Sequence, residues 1–114
     1  MTLIDIKARR SAREIAMHII YESGFEYDSI QAITNKRLSE EYFSVISGDA
    51  EAYSQPLPPD ECIYIRKITN GIAENKPELM EIVSEYSANW KQDRISRINR
   101  SILLIATNYF GKKI

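Results

Sequence analysis

Arg9, Arg10 and Arg13, with Tyr21 two turns beyond, are the residues of this chain whose types and spacing best suit a chemistry. Guanidinium groups bind phosphate oxygens bidentately and stack on bases, and a tyrosine ring adds a further stacking surface. Single-stranded RNA, with its bases splayed, matches both chemistries. With Arg9 set at zero on a helix of 100° per residue, Arg13 falls at about 40°, Met17 at about 80°, Arg10 at about 100° and Tyr21 at about 120°. Ala8, Ala12, Ile15, Ala16 and Ile19 occupy a separate arc of about 240–340°. The three arginines are therefore predicted to share one exposed face. Arginines near a helix start oppose the macrodipole, so stability alone would place acids there. The competing reading is a solvated basic face, with Arg10 paired to Glu14 one turn on, in the weaker of the two orientations.

Other chemistries find little support. His18 is the single histidine, and no acid or nucleophile is spaced to form a triad with it. It reads as a boundary residue between the apolar arc and the basic one. Cys62 reads as a small buried apolar residue. Glu40-Glu41 and Glu78, Glu81 and Glu85 read as exposed helix faces, since a carboxylate metal site needs inward-facing acids on several helices. No phosphate-cradling glycine loop or dinucleotide fingerprint is present. The sequence reads as a non-enzyme, with no catalytic residue, no metal site and no cofactor.

The elements that must hold these residues are helical. Four glycines and four prolines punctuate the chain, and alternation at period two is confined to Ile63-Tyr64-Ile65. Apolar spacing predicts five helices. The first covers about residues 6 to 23, with Asp5 as its cap and Gly24 as its stop. The second covers about 29 to 46, with a break near Thr34-Asn35. Residues 47 to 59 form a loop, because Pro56, Pro58 and Pro59 do not sit inside a helix. A third helix covers about 59 to 74, with a stripe of Ile65, Ile68 and Ile72 and with Gly71 offering a close contact. A fourth starts at Pro77 and carries Leu79, Ile82, Val83 and Tyr86. The fifth covers about 97 to 110 with Ser96 as cap. It is apolar nearly all round, which predicts cover on every side.

The chain has 114 residues, 44% apolar and 27% charged, with 15 Lys and Arg against 16 Asp and Glu. That supports one domain over residues 1–114. The near-neutral total hides basic ends around an acidic middle, a polarised surface with one region suited to a polyanion. One cysteine excludes a disulfide framework and fits a reducing cytoplasm. No apolar run approaches the ~20 residues that span a bilayer, so no membrane association is expected.

Two segments carry a resemblance. Ala8-Arg9-Arg10-Ser11-Ala12-Arg13-Glu14-Ile15-Ala16, continuing to Tyr21, resembles the arginine-rich opening of the NusB family of bacterial transcription antitermination factors. Trp90 to Ala106 (WKQDRISRINRSILLIA) is similar to that family's second signature, and Tyr64 to Ile72 matches its third helix in placement and character. The similarity is weakest from Glu26 to Pro59. It implies an all-α fold of two packed three-helix groups. It also implies binding of boxA-type RNA together with the ribosomal protein NusE, in a complex that helps RNA polymerase read through terminators, notably in ribosomal RNA operons. RNA contacts are then expected at Arg9, Arg10 and Arg13, with Lys7 and Tyr21 as additions, and partner contacts at Asn99 and Arg100.

Three departures stand against the family pattern. Asn99 replaces a usual acid, Leu104 a common arginine, and Asn108-Tyr109-Phe110 the usual Tyr-Glu-Leu. Family members also continue for about two more helices that normally cover the fifth. The alternative function is a helical protein-interaction module that forms a homodimer through Leu103, Leu104 and Phe110 and does not bind RNA. A DNA-binding helix-turn-helix is more distant, because no short glycine turn precedes a basic recognition helix.

Overall fold

A computed structural model describes residues 2–25, 28–86 and 97–111, with side chains described over 2–25, 28–82 and 101–108. The described elements are α1 (Leu3–Ser23), α2 (Ile30–Arg37), α3 (Glu40–Ile46), a 3-10 turn (Glu51–Tyr53), α4 (Pro59–Tyr86) and α5 (Arg97–Gly111). The fold is all-α, and no strand occurs among the described residues. No described helix is long and apolar enough to cross a membrane.

The first helix begins three residues earlier than its apolar spacing predicts. Thr2 is the cap: its hydroxyl accepts from the Asp5 N–H at 3.1 Å, while the Asp5 carboxylate accepts from the Thr2 N–H at 3.0 Å. Asp5 is thus the reciprocal partner of a capping box and not the cap itself. That backbone hydrogen bond, seconded by the Thr2 hydroxyl, holds its carboxyl below the usual range. Gly24 ends the helix in ordinary right-handed geometry.

The stretch from 30 to 46 is two helices, and the break lies at Leu38-Ser39, not at Thr34-Asn35. The buried Thr34 hydroxyl donates to the Ile30 carbonyl at 2.7 Å, which keeps it inside α2. Ser39 divides the pair. Its hydroxyl donates to the Lys36 carbonyl at 2.7 Å and accepts from the Tyr42 N–H at 3.2 Å, closing α2 and capping α3.

The predicted third and fourth helices are one. α4 runs through Pro77 without interruption. Ile65, Ile72 and Leu79 are all buried at seven-residue intervals, so a single apolar stripe continues past the proline and its burial offsets the ~3 kcal/mol that an interior proline costs.

α1 is the hub, packed against α2, the 3-10 turn, α4 and α5, while α4 also packs on α2 and α5. Ile15, Ile19, Ile33, Ile65 and Ile72 are fully buried at its centre, each contributing about 1.5–3 kcal/mol of transfer free energy. α5 is not covered on every side. Ser101, Leu104 and Asn108 form its buried face, whereas Ile102 is 51% exposed.

Candidate nucleic-acid interface

Lys7, Arg10 and Arg13 are exposed along α1, and none of them makes a hydrogen bond or ion pair to another described side chain. The fixed backbone of α1 sets their mutual placement, and its buried arc of Ala12, Ile15, Ala16 and Ile19 fixes which way they face. Arg10 and Glu14 lie one turn apart yet do not form the pair that their spacing allows.

Arg9 stands apart from the other two arginines. Its Nε donates to Glu61 Oε2 at 2.7 Å, and its guanidinium carbon lies 3.9 Å from the centroid of the Tyr64 ring. Glu61 and Tyr64 sit three residues apart in the first turns of α4, so one helix face supplies both an acceptor and a stacking surface. The Glu61 hydrogen bond strengthens the proton affinity of the guanidinium. The exposed face predicted for all three arginines is therefore corrected. Arg10 and Arg13 have no partner among the described side chains, while Arg9 is half-buried at the α1–α4 seam because its position lies nearest the apolar arc. Tyr21 is half-buried too, with its ring edge-on to Phe25 at 5.0 Å.

A groove of about 610 Å³ opens between the first three turns of α1 and the segment 51–58. Ala8, Ala52 and Leu57 give it an apolar lining, and Lys7, Arg10, Glu14 and Glu51 bring both signs of charge to it. The sequence reading of 47 to 59 as plain loop misses this wall. Ala52 and Tyr53 are buried there, and an apolar pair inside a proline-rich loop is the signal that marks it.

Tyr53 explains why the segment holds its place. Its ring is 1% exposed, stacks on His18, and meets Phe43 edge-on at 5.1 Å. Its hydroxyl accepts from Arg37 Nη1 at 2.8 Å and lies 3.1 Å from His18 Nδ1. Arg37 Nε and Lys36 Nζ both donate to Glu22, at 2.7 and 2.6 Å. Burial, then the nearby Arg37 charge, pushes the His18 pKa down, so the imidazole is held neutral. Burial raises the Glu22 carboxyl, but donation from Lys36 and Arg37 outweighs it and leaves the pKa lowered. His18 is thus a boundary residue with a structural partner. Cys62 is partly exposed instead of buried. Glu40, Glu41, Glu78 and Glu81 are exposed as the spacing predicts.

Asn99 and Arg100 lie in the backbone of α5, and their side chains fall outside the described residues. So do those of Glu85 and Phe110, and so does the segment from Trp90 to Ser96. Leu104 is 5% exposed within the core, so it is not available to the homodimer contact expected of it. Its place in the 101, 104, 108 series turns it toward the other helices. No group of metal-ligating side chains occurs among the described residues.

The sequence profile of the NusB family matches residues 10–109. A transcription antitermination protein NusB from Clostridium novyi is 32% identical over 99 residues, covering 87% of this chain and 65% of its own length. A namesake from Clostridium botulinum is 30% identical over 103 residues, covering 87% of this chain and 69% of its own. One from Bdellovibrio bacteriovorus is 30% identical over 103 residues, covering 90% and 65%. The chain thus spans about two-thirds of the length of these relatives. No solved structure matches it.

Proposed function

The chain belongs to the NusB family, and from that premise we propose that it is a transcription antitermination factor that binds boxA-type single-stranded RNA together with the ribosomal protein NusE. In this reading it is an adaptor and not an enzyme, helping RNA polymerase read through terminators, notably in ribosomal RNA operons. One observation carries it: Lys7, Arg10 and Arg13 project from a helix whose other arc is buried, and no described side chain neutralises them. Such guanidinium groups suit phosphates because no internal ion pair has to be broken to bind them and the helix backbone that carries them is already ordered. Arg9, stacked on Tyr64, extends the surface toward α4 with a guanidinium whose orientation is already set. Tyr21 is the proposed stacking ring at its far end, and Asn99 and Arg100 are the proposed NusE contacts.

A gel-shift titration with boxA RNA, with and without NusE, tests the proposal. Binding that tightens when NusE is present and weakens in an Arg10→Ala, Arg13→Ala variant is the expected result. Equal affinity for the parent and that variant would remove α1 as the RNA surface.

A further inference from the structure

We propose that the groove between α1 and the segment 51–58 seats one unstacked base of the bound strand, and that Glu14 and Glu51 select a base with an exocyclic amino group, guanine above all. The inference rests on the RNA reading of α1 and deepens it by naming what the site would recognise. At about 610 Å³ the groove falls within the 300–1,000 Å³ typical of small-ligand sites. Ala8, Ala52 and Leu57 offer the apolar surface that the face of a base requires, while Lys7 and Arg10 border the same groove. A base entering it brings its flanking phosphates to those cations. Arg10 therefore serves both the groove and the arc it shares with Arg13.

The two carboxylates decide what is seated. In the path of a phosphate backbone Glu14 and Glu51 would repel, so their place beside Lys7 and Arg10 suits a base edge that donates. Guanine presents N1–H and N2–H side by side, which one carboxylate accepts bidentately. Adenine and cytosine offer only their amino groups. Uracil turns two carbonyl oxygens toward the acids and has a single N–H. None of these four charged side chains forms an ion pair with a described side chain, although opposite charges line one groove. They remain open to a ligand that carries phosphates and donors together.

Carbon-13 methyl NMR on the Ala8, Ala52 and Leu57 resonances tests the seat with free nucleotides first. Guanosine monophosphate is expected to shift these methyls, with uridine monophosphate at least about five-fold weaker, the worth of one charge-assisted contact at an exposed rim. Glu51→Ala and Glu14→Ala, both at exposed positions, are expected to shrink that preference. A uridine 12-mer with one guanosine should then bind more tightly than the plain 12-mer, and the gain should vanish in the same variants. Methyls that ignore both nucleotides, or respond to both alike, overturn the proposal, as does a groove that shifts only on adding NusE. If the groove is silent while Arg10→Ala, Arg13→Ala still weakens RNA binding, the base seat falls and the RNA face stands. If guanosine monophosphate shifts the methyls but Arg13→Ala, outside the groove, leaves RNA affinity intact, the seat is supported and the part of the α1 face beyond the groove falls.

Discussion

Removing Arg10 and Arg13 together should change how RNA binding responds to salt, whereas removing Arg9 should change how well the protein folds. Lys7, Arg10 and Arg13 are exposed and pair with no described side chain, so each is available to neutralise one phosphate. Three such contacts to a single strand give a slope of log affinity on log salt of about −2, since each contributes about −0.7. Affinity then falls about 20-fold between 50 and 200 mM salt, or about 50-fold if Arg9 adds a fourth contact. With Arg10 and Arg13 both alanine and one contact left, the slope drops to about −0.7 and the loss to about 2.5-fold. Stability should stay within about 0.5 kcal/mol of the parent, because neither side chain has a partner to lose among the described residues. Arg9→Ala does the reverse. It leaves Glu61, 8% exposed, without the donor at 2.7 Å. That costs about 1–2 kcal/mol after allowance for the exposed side of the pair, or roughly 5–10 °C in Tm. Fluorescence anisotropy at four salt concentrations, alongside thermal unfolding, reads both. A double variant that keeps a slope near −2, or melts as low as Arg9→Ala, refutes this division of roles.

Tyr53→Phe should destabilise by about 1–3 kcal/mol in urea, because it strands Arg37 Nη1 and His18 Nδ1 in a cluster that ties α1, α2 and the 3-10 turn together. Stability should also depend on pH through His18. Its pKa is lowered on folding, so the unfolded chain binds the extra proton; stability is full above about pH 6.5 and declines as pH falls through that value. Urea midpoints at pH 8, 7, 6 and 5.5 check it, and His18→Gln should flatten the profile in that window. Glu22, lowered on folding by its two cations, adds a second loss once pH falls below the usual carboxylate range. Ser39→Ala should cost about 0.5–2 kcal/mol, since one hydroxyl both closes α2 and caps α3.

What the sequence reveals of the fold is the part governed by period. Ile15 and Ile19 on α1, or Ile65 and Ile72 on α4, repeat at helical spacing, and those residues are buried. The boundaries follow local hydrogen bonds that compete with propensity. Thr34 and Ser39 are both hydroxyl residues near the end of α2, yet one bonds back within its own helix and the other bridges two. Pro77 reads as a start because proline favours first turns, but the register of Ile72 and Leu79 carries across it. No local rule weighs a tertiary stripe against a missing N–H.

The candidate site was legible to the same degree and for the same reason. Angular position on α1 separates the basic arc from the buried one, but it does not say which arginine meets another helix. Arg9 lies nearest the edge of the apolar arc, and only the approach of α4 decides that Glu61 and Tyr64 take hold of it. The consequence is a division of labour among three residues of one type. Arg9 ties the basic arc to the core, so the helix that presents Arg10 and Arg13 is braced at the point where their phosphates would pull on it. An arginine-to-lysine change should expose this difference. Arg13→Lys retains a point charge and should keep most of the salt slope. Arg9→Lys loses the planar face over Tyr64 at 3.9 Å and the directed Nε contact, so it should lower Tm despite conserving charge. Equal melting of the two lysine variants would show that the brace is electrostatic alone and that stacking on Tyr64 contributes nothing.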